Sequence, residues 1–325
     1  MEEGDKMKKL FAVFLGLAVA AGAASAAQVY PAPGKSIRLI VPFAPGSGTD
    51  VMTRILVEDL QKGLGAPIVV ENKPGANGYV AAEYISKQEP DGYTLLLGTS
   101  SAYSANPWVM KELAYDPIKG VTPIARTTDF PFYLAVNSQS PIKNLDDFVR
   151  FVRTSGKITM GYGNATGQVA NAHLMQSAGF TAISVPYKST PPALVDMIGG
   201  QFDFMFVDLA SSRAFVNDGK VRPLAMMSDK RSSLMPDLPA LGEKFPGFDY
   251  LAWGGLMGPP GMAPEIVERL NTEVVKSLGK PAVKERFAMM GLEPFPSSAA
   301  EFATFMVEQK AAWGKSIRNA GIQPQ

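Results

Sequence analysis

The chain has 325 residues, a formal net charge of +1, a single histidine and no cysteine. So balanced a charge offers nucleic acid or an anionic membrane surface no electrostatic handle. Without cysteine there is no disulfide, no thiolate metal site and no lipobox for a lipid anchor.

The first element in the chain is an export signal. Met7-Lys8-Lys9 is a short positive region, residues 10–21 are an apolar core, and Ala24-Ser25-Ala26 fits small-residue cleavage. The apolar run falls short of the roughly 20 residues a membrane span requires, so residues 1–26 are predicted to be removed as a signal peptide. The product is a periplasmic protein starting at Ala27. Removing 26 of 325 residues leaves 299, near the size at which one core gives way to two domains. No repeat of 20–50 residues and no low-complexity tract interrupts it.

Residues 37–41 form a short apolar run that reads as a buried strand. Pro42, Pro45, Gly46 and Gly48 break it, and a helix is predicted from about Thr49. Val51, Ile55, Leu56, Leu60 and Leu64 form its apolar face. Ser47 and Asp50 stand at capping-box spacing, with Asp in place of Glu or Gln. A glycine-rich turn here presents backbone N–H groups at the positive end of a helix dipole, which is the chemistry of an anion site.

The βα rhythm continues. A strand at 67–71 leads through Asn72-Lys73-Pro74-Gly75-Ala76-Asn77-Gly78 into a helix with Val80, Ala81, Tyr84 and Ile85 on one face; a strand at 93–97 follows. A second set has strands at 133–136, 158–162, 183–185, 202–207 and 222–227. Its helices begin after Asn144, at 163–168 and from Ala193. A strand at 250–257 and helices from Pro264 through Leu278, at 281–290 and at 299–319 complete the chain. Alternating strands and helices predict mainly parallel sheets covered on both sides, in two α/β lobes with a cleft lined by strand-end loops.

Enzyme chemistry is poorly supplied. Gly46-Ser47-Gly48 begins a dinucleotide fingerprint, but Val51 stands where its third glycine belongs, and no P-loop Lys follows. Gly46-Ser47-Gly48 is not a nucleophile elbow either. His173 follows a predicted helix start beside Leu174 and Met175, the setting of a partly buried packing histidine. One histidine without cysteine makes a poor zinc site. Phe43, Tyr103, Trp108, Tyr162, Tyr187 and Trp253 fall in or near strand-end loops, where packing and ligand contact are both open to them.

Five spaced motifs then point to a family. Val41-Pro-Phe-Ala-Pro-Gly-Ser-Gly-Thr-Asp50, Val70-Glu-Asn-Lys-Pro-Gly-Ala-Asn-Gly78, Pro90-Asp-Gly-Tyr-Thr-Leu-Leu-Leu-Gly-Thr99, Val185-Pro-Tyr-Lys188 and Gly199-Gly-Gln-Phe-Asp203 together resemble the Bug family. These are the periplasmic solute-binding proteins of tripartite tricarboxylate transporters, and the likeness runs collinearly along the whole mature chain. It implies a two-lobed type II periplasmic-binding fold, a Venus flytrap, without enzymatic activity, metal or cofactor. It also implies a ligand carboxylate held between two loops. Here the first is Phe43, Ala44, Pro45, Gly46, Ser47, Gly48, Thr49 and Asp50, and the second is Tyr187, Lys188, Ser189 and Thr190. Thr99, Ser100, Asn164, Thr166, Gln168 and Asp208 flank them. Two departures stand out. The family's usual Tyr-Lys-Gly-Gly reads Tyr187-Lys188-Ser189-Thr190 here, and its common Ser-His pair aligns with Gly167-Gln168.

The expectation is therefore a monomeric α/β protein with lobe one at 27–125 plus 229–325 and lobe two at 126–228. It binds a small organic carboxylate and delivers it to the large and small membrane subunits of a tripartite transporter. Lys188 is either part of the clamp or a solvated rim lysine. Competing readings are a sensory binding protein that presents a carboxylate to a membrane receptor, and a periplasmic hydrolase built on the same lobes.

Overall fold

The structure, a computed structural model, describes residues 30–248 and 251–324. The signal segment 1–26 and its cleavage site lie outside the described residues. Residues Ile37–Val41 form β1, Gly48–Leu64 α1, Ile68–Asn72 β2, Tyr79–Ile85 α2 and Thr94–Thr99 β3. A π-turn, Ser101–Ala105, runs into the short α3, Asn106–Val109, and Thr122–Asp129 is β4. Then come β5 (Phe132–Asn137), α4 (Leu145–Thr154), β6 (Thr159–Tyr162), α5 (Ala165–Ala178), β7 (Ile183–Pro186), α6 (Thr190–Ile198), β8 (Phe204–Asp208), α7 (Leu209–Asn217) and β9 (Val221–Met226). The chain closes with β10 (Trp253–Gly258), α8 (Pro264–Gly279), α9 (Pro281–Met289), β11 (Glu293–Pro294) and α10 (Ala299–Asn319).

These strands make two sheets, one per lobe. The first has the order β11-β4-β10-β3-β1-β2 and the second β7-β6-β8-β5-β9. The expectation of mainly parallel sheets is corrected. β1 runs parallel to β2 and β3, but β10 is antiparallel to both β3 and β4. Likewise β6 is parallel to β7 and β8, whereas β5 is antiparallel to β8 and β9. The reversed strands are β10 and β11 in the first sheet and β5 in the second, and β5 and β10 each follow a place where the chain changes sheet. A strand entering from the other lobe is not tied to the direction that a βα crossover imposes.

The two crossing segments pair with each other. Phe130 N–H donates to Ala252 C=O at 2.7 Å, and Met227 N–H to Phe132 C=O at 2.9 Å. Around them one apolar core runs unbroken from Leu39 and Leu97 through Phe130 and Phe132 to Phe204 and Phe206. Separate clusters cover the outer faces, one under Trp253, Phe302 and Met306, the other around Tyr133, Leu194 and Met205. The helix predicted from Ala193 starts at Thr190, with Pro191 and Pro192 in its first turn, where a missing N–H is cheapest. Of the face expected on α2, Ala81 and Ile85 are buried with Ala82, but Val80 is 44% exposed. β4, α3 and α7 were not anticipated. β4 reads Thr-Pro-Ile-Ala-Arg-Thr-Thr-Asp and buries five consecutive positions, so it shows no alternation.

Candidate functional site

Four helices begin at the cleft, α1 at Gly48, α5 at Ala165, α6 at Thr190 and α7 at Leu209, each after the carboxyl end of a strand. Ser47 caps α1 and accepts from Asp50 N–H at 3.3 Å. The reciprocal arm of a capping box is not formed. The Asp50 carboxylate accepts instead from Gly46 N–H at 3.0 Å, Asn72 Nδ2 at 2.9 Å and Arg54 Nε at 3.0 Å. Burial pushes the Asp50 carboxyl up, but the bonds from Arg54, Asn72 and Gly46 outweigh it and hold it below its ordinary value. Asp50 is thus the staple of the first loop. It fixes the turn in which Gly46 takes φ +79°.

Asn164 caps α5, accepting from Gly167 N–H at 2.9 Å, while its Nδ2 donates to Thr190 Oγ1 at 3.1 Å. Ser189 caps α6 by position, yet its hydroxyl makes no cap bond; it accepts Ala44 N–H from the other lobe at 3.1 Å. Asp208 caps α7, with Oδ1 accepting Ser211 N–H at 2.8 Å and Oδ2 the Ser211 hydroxyl at 2.7 Å. That hydroxyl in turn accepts Gly48 N–H across the cleft at 2.7 Å. Burial pushes the Asp208 carboxyl up, against the two Ser211 bonds.

Between these helix starts lies a small, partly open cavity of about 30 Å³, room for about two waters. Phe43, Ser47, Gly48 and Thr49 line it from the first loop, Thr99, Ser100 and Ser101 from the end of β3, and Asn164, Thr166, Thr190 and Asp208 from the second lobe. Phe130, Phe132, Ala252 and Trp253 of the crossings complete the wall. Among the described residues no Lys, Arg or His lines it, and Asp208 is the one ionisable side chain on its wall. Each helix N-terminus acts as about half a positive charge, so four of them give this small cavity a field suited to an anion without a cationic side chain. Among the described residues the buried Thr99 hydroxyl has no protein partner, nor do those of Tyr103 and Ser104 in the adjoining π-turn.

The structure brings ten of the sequence-predicted site residues onto this wall: Phe43, Ser47, Gly48, Thr49, Thr99, Ser100, Asn164, Thr166, Thr190 and Asp208. Ala44, Pro45, Gly46, Asp50, Gln168, Tyr187, Lys188 and Ser189 stand outside it. The Tyr187 phenol donates to Asp196 at 2.7 Å, and Lys188 is exposed. Gln168 and Ser189 have another position: they cross the cleft. Gln168 Oε1 accepts Asn77 Nδ2 at 3.0 Å, as Ser189 accepts Ala44. The two departures from the family pattern therefore both place interlobe bonds. Sequence reasoning missed Ser211, which has no motif around it, and the crossing residues Phe130, Phe132 and Ala252, which resemble ordinary core. His173 is half-buried and stacks on Phe248 with ring centres 4.2 Å apart, as a packing residue does.

Comparison with known proteins agrees with this architecture. Residues 52–322 match the family described as "Tripartite tricarboxylate transporter family receptor". Protein BugT of Bordetella pertussis is 32% identical over 98% of this chain and 99% of its own length. MatC of Rhodopseudomonas palustris, solved with bound malate, is 30% identical with a TM-score of 0.82, over 88% of this chain and 99% of that one. A second R. palustris protein, Rpa4515, solved with adipate, is 29% identical with a TM-score of 0.87, over 90% and 99%.

Proposed function

The chain belongs to the tripartite tricarboxylate transporter receptor family, and on that premise we propose that it captures a small organic carboxylate between its lobes in the periplasm and hands it to the membrane subunits of such a transporter. The observation that carries this reading is the convergence of four helix N-termini, from both lobes, on one cavity lined by hydroxyls and an amide. Malate and adipate in the related structures belong to the same chemical class.

The lobes move about the paired crossing segments. Open, they expose the Ser47–Thr49 start of α1; a carboxylate docks there, and closure brings Thr166, Thr190 and Asn164 onto its other side. Charge-assisted hydrogen bonds contribute about 1.5–3 kcal/mol each. Four or five of them cover the roughly 8 kcal/mol of micromolar binding after association costs. The cavity between the lobes has room for only about two waters, so the size of the ligand sets the final closure angle.

A thermal-shift screen of organic acids on residues 27–325 tests the binding. An acid at about 100 times its Kd stabilises by roughly 2.7 kcal/mol, and a panel without any shift refutes it. Delivery is tested by uptake of the labelled acid into cells that carry both membrane subunits. Uptake depends on this protein if the reading holds, and continues without it if the reading is wrong.

A further inference from the structure

An acid stands on the wall of a cavity suited to acids. Among the described residues Asp208 is its one ionisable lining residue, and it is only 5% exposed. Its oxygens accept the Ser211 N–H and hydroxyl, and its own backbone N–H also bonds the carboxyl; a carboxylate offers about four acceptor positions, so about one stays open. The first-loop backbone lies directly against it, since a Cβ built on Gly48 would collide with Oδ1.

Other titratable or charged groups on the elements packed here do not neutralise it. Tyr133 of β5 donates to Ser212. Asp50 and Arg54 of α1 pair with each other. On α7 the bonds to Asp208 come from Ser211. Four helix N-termini at about half a charge each supply about +2, and an ionised Asp208 leaves about +1. That field matches one carboxylate. A second ionised carboxylate would meet Asp208 in a site where two like charges do not both stay ionised.

We propose that the ligand meets Asp208 with a proton. Its second polar group is either an ammonium or a carboxylic acid, and in the latter case one proton from solvent is taken up as the cleft closes and is held between the two carboxyl groups. The inference rests on the carboxylate-binding reading above, and its test separates the two.

Mature protein is titrated calorimetrically with malate, adipate and aspartate, from pH 6 to 8, in two buffers of different ionisation enthalpy. A dicarboxylate should bind with uptake of about one proton, its affinity falling about tenfold per pH unit. An amino-carboxylate should bind without uptake. Asn caps a helix about as well as Asp, so Asp208→Asn should fold. It should abolish the uptake and the pH dependence for dicarboxylates, and weaken an amino-carboxylate by about tenfold or more. Dicarboxylate binding in wild type with no proton uptake and no pH dependence overturns this inference while leaving carboxylate binding intact. Failure of every acid to bind overturns both.

Discussion

Gly48 of the first lobe donates its amide to the Ser211 hydroxyl of the second at 2.7 Å, and Ser211 passes the chain on to Asp208. The first loop is thus more than a cradle for an anion. Its backbone is also half of the latch that holds the lobes shut, together with Ala44–Ser189 and Asn77–Gln168. Ligand and latch draw on the same loop, which couples binding to the angle between the lobes.

Gly48 is glycine because of contact, not conformation. Its φ is not positive, and any side chain there strikes the Asp208 carboxylate, with the Ala210 methyl in contact beside it. Gly48→Val should leave each lobe folded but obstruct closure at a cost of about 1–3 kcal/mol, a loss of roughly 10- to 100-fold in affinity by calorimetry. Gly46→Ala works differently. With φ +79° and open space around it, it should lower stability by about 1–2 kcal/mol in urea unfolding. Wild-type affinity in Gly48→Val would place the closed contact elsewhere.

Ser189 and Ser211 each hold one first-loop amide, and each bond contributes about 1 kcal/mol to the closed state. In small-angle scattering a good carboxylate ligand should shrink the radius of gyration of wild type. The double variant Ser189→Ala, Ser211→Ala should need much more ligand for the same change. Equal ligand requirements would show that these hydroxyls do not bias closure.

Asp50 sets an acid limit on the first loop. Its pKa is depressed in the fold, so it contributes stability that is fully present above its ordinary value of 3.8 and is lost as pH falls through the lower folded value. Asp50→Asn should flatten the acid limb of the stability curve measured by circular dichroism. An unchanged acid limb would mean that Asp50 is not held ionised by Arg54, Asn72 and Gly46.

His173 acts over a milder range. Burial lowers its pKa below 6.5, against the Asp229 charge and the Pro246 carbonyl, so the fold prefers the neutral ring. Stability should be complete above about pH 6.5 and decline as pH falls through the folded value. His173→Phe keeps the stack on Phe248 and should remove that decline in urea melts at pH 5 and 7.5. A variant with the wild-type slope would contradict this role.

Much of the fold was legible because its signals are local. Residues 37–50 announce a strand, a broken turn and a capped helix within fourteen positions, and the helix starts at Asn144 and Asn164 are single-residue caps. Strand direction was not legible, because β10 and β5 take theirs from the lobe crossing. The candidate site divides the same way. Gly48, Thr49, Asn164 and Thr190 lie in recognisable loops and line the cavity. Ser211 reads as any helix serine, and only the approach of Gly48 from 163 residues away gives it a role. Asp50 looked like half of a capping box, and its actual partners Asn72 and Gly46 depend on how β2 lies beside the loop.

The most direct test of the account is calorimetry on the mature protein with an organic acid and its uncharged amide of the same shape. Four converging helix N-termini predict 1:1 binding of the acid, at about micromolar Kd, and a loss of roughly 10- to 100-fold or more for the amide, the worth of one or two charge-assisted bonds. An amide that binds as tightly as its acid would contradict a cleft built to hold a carboxylate.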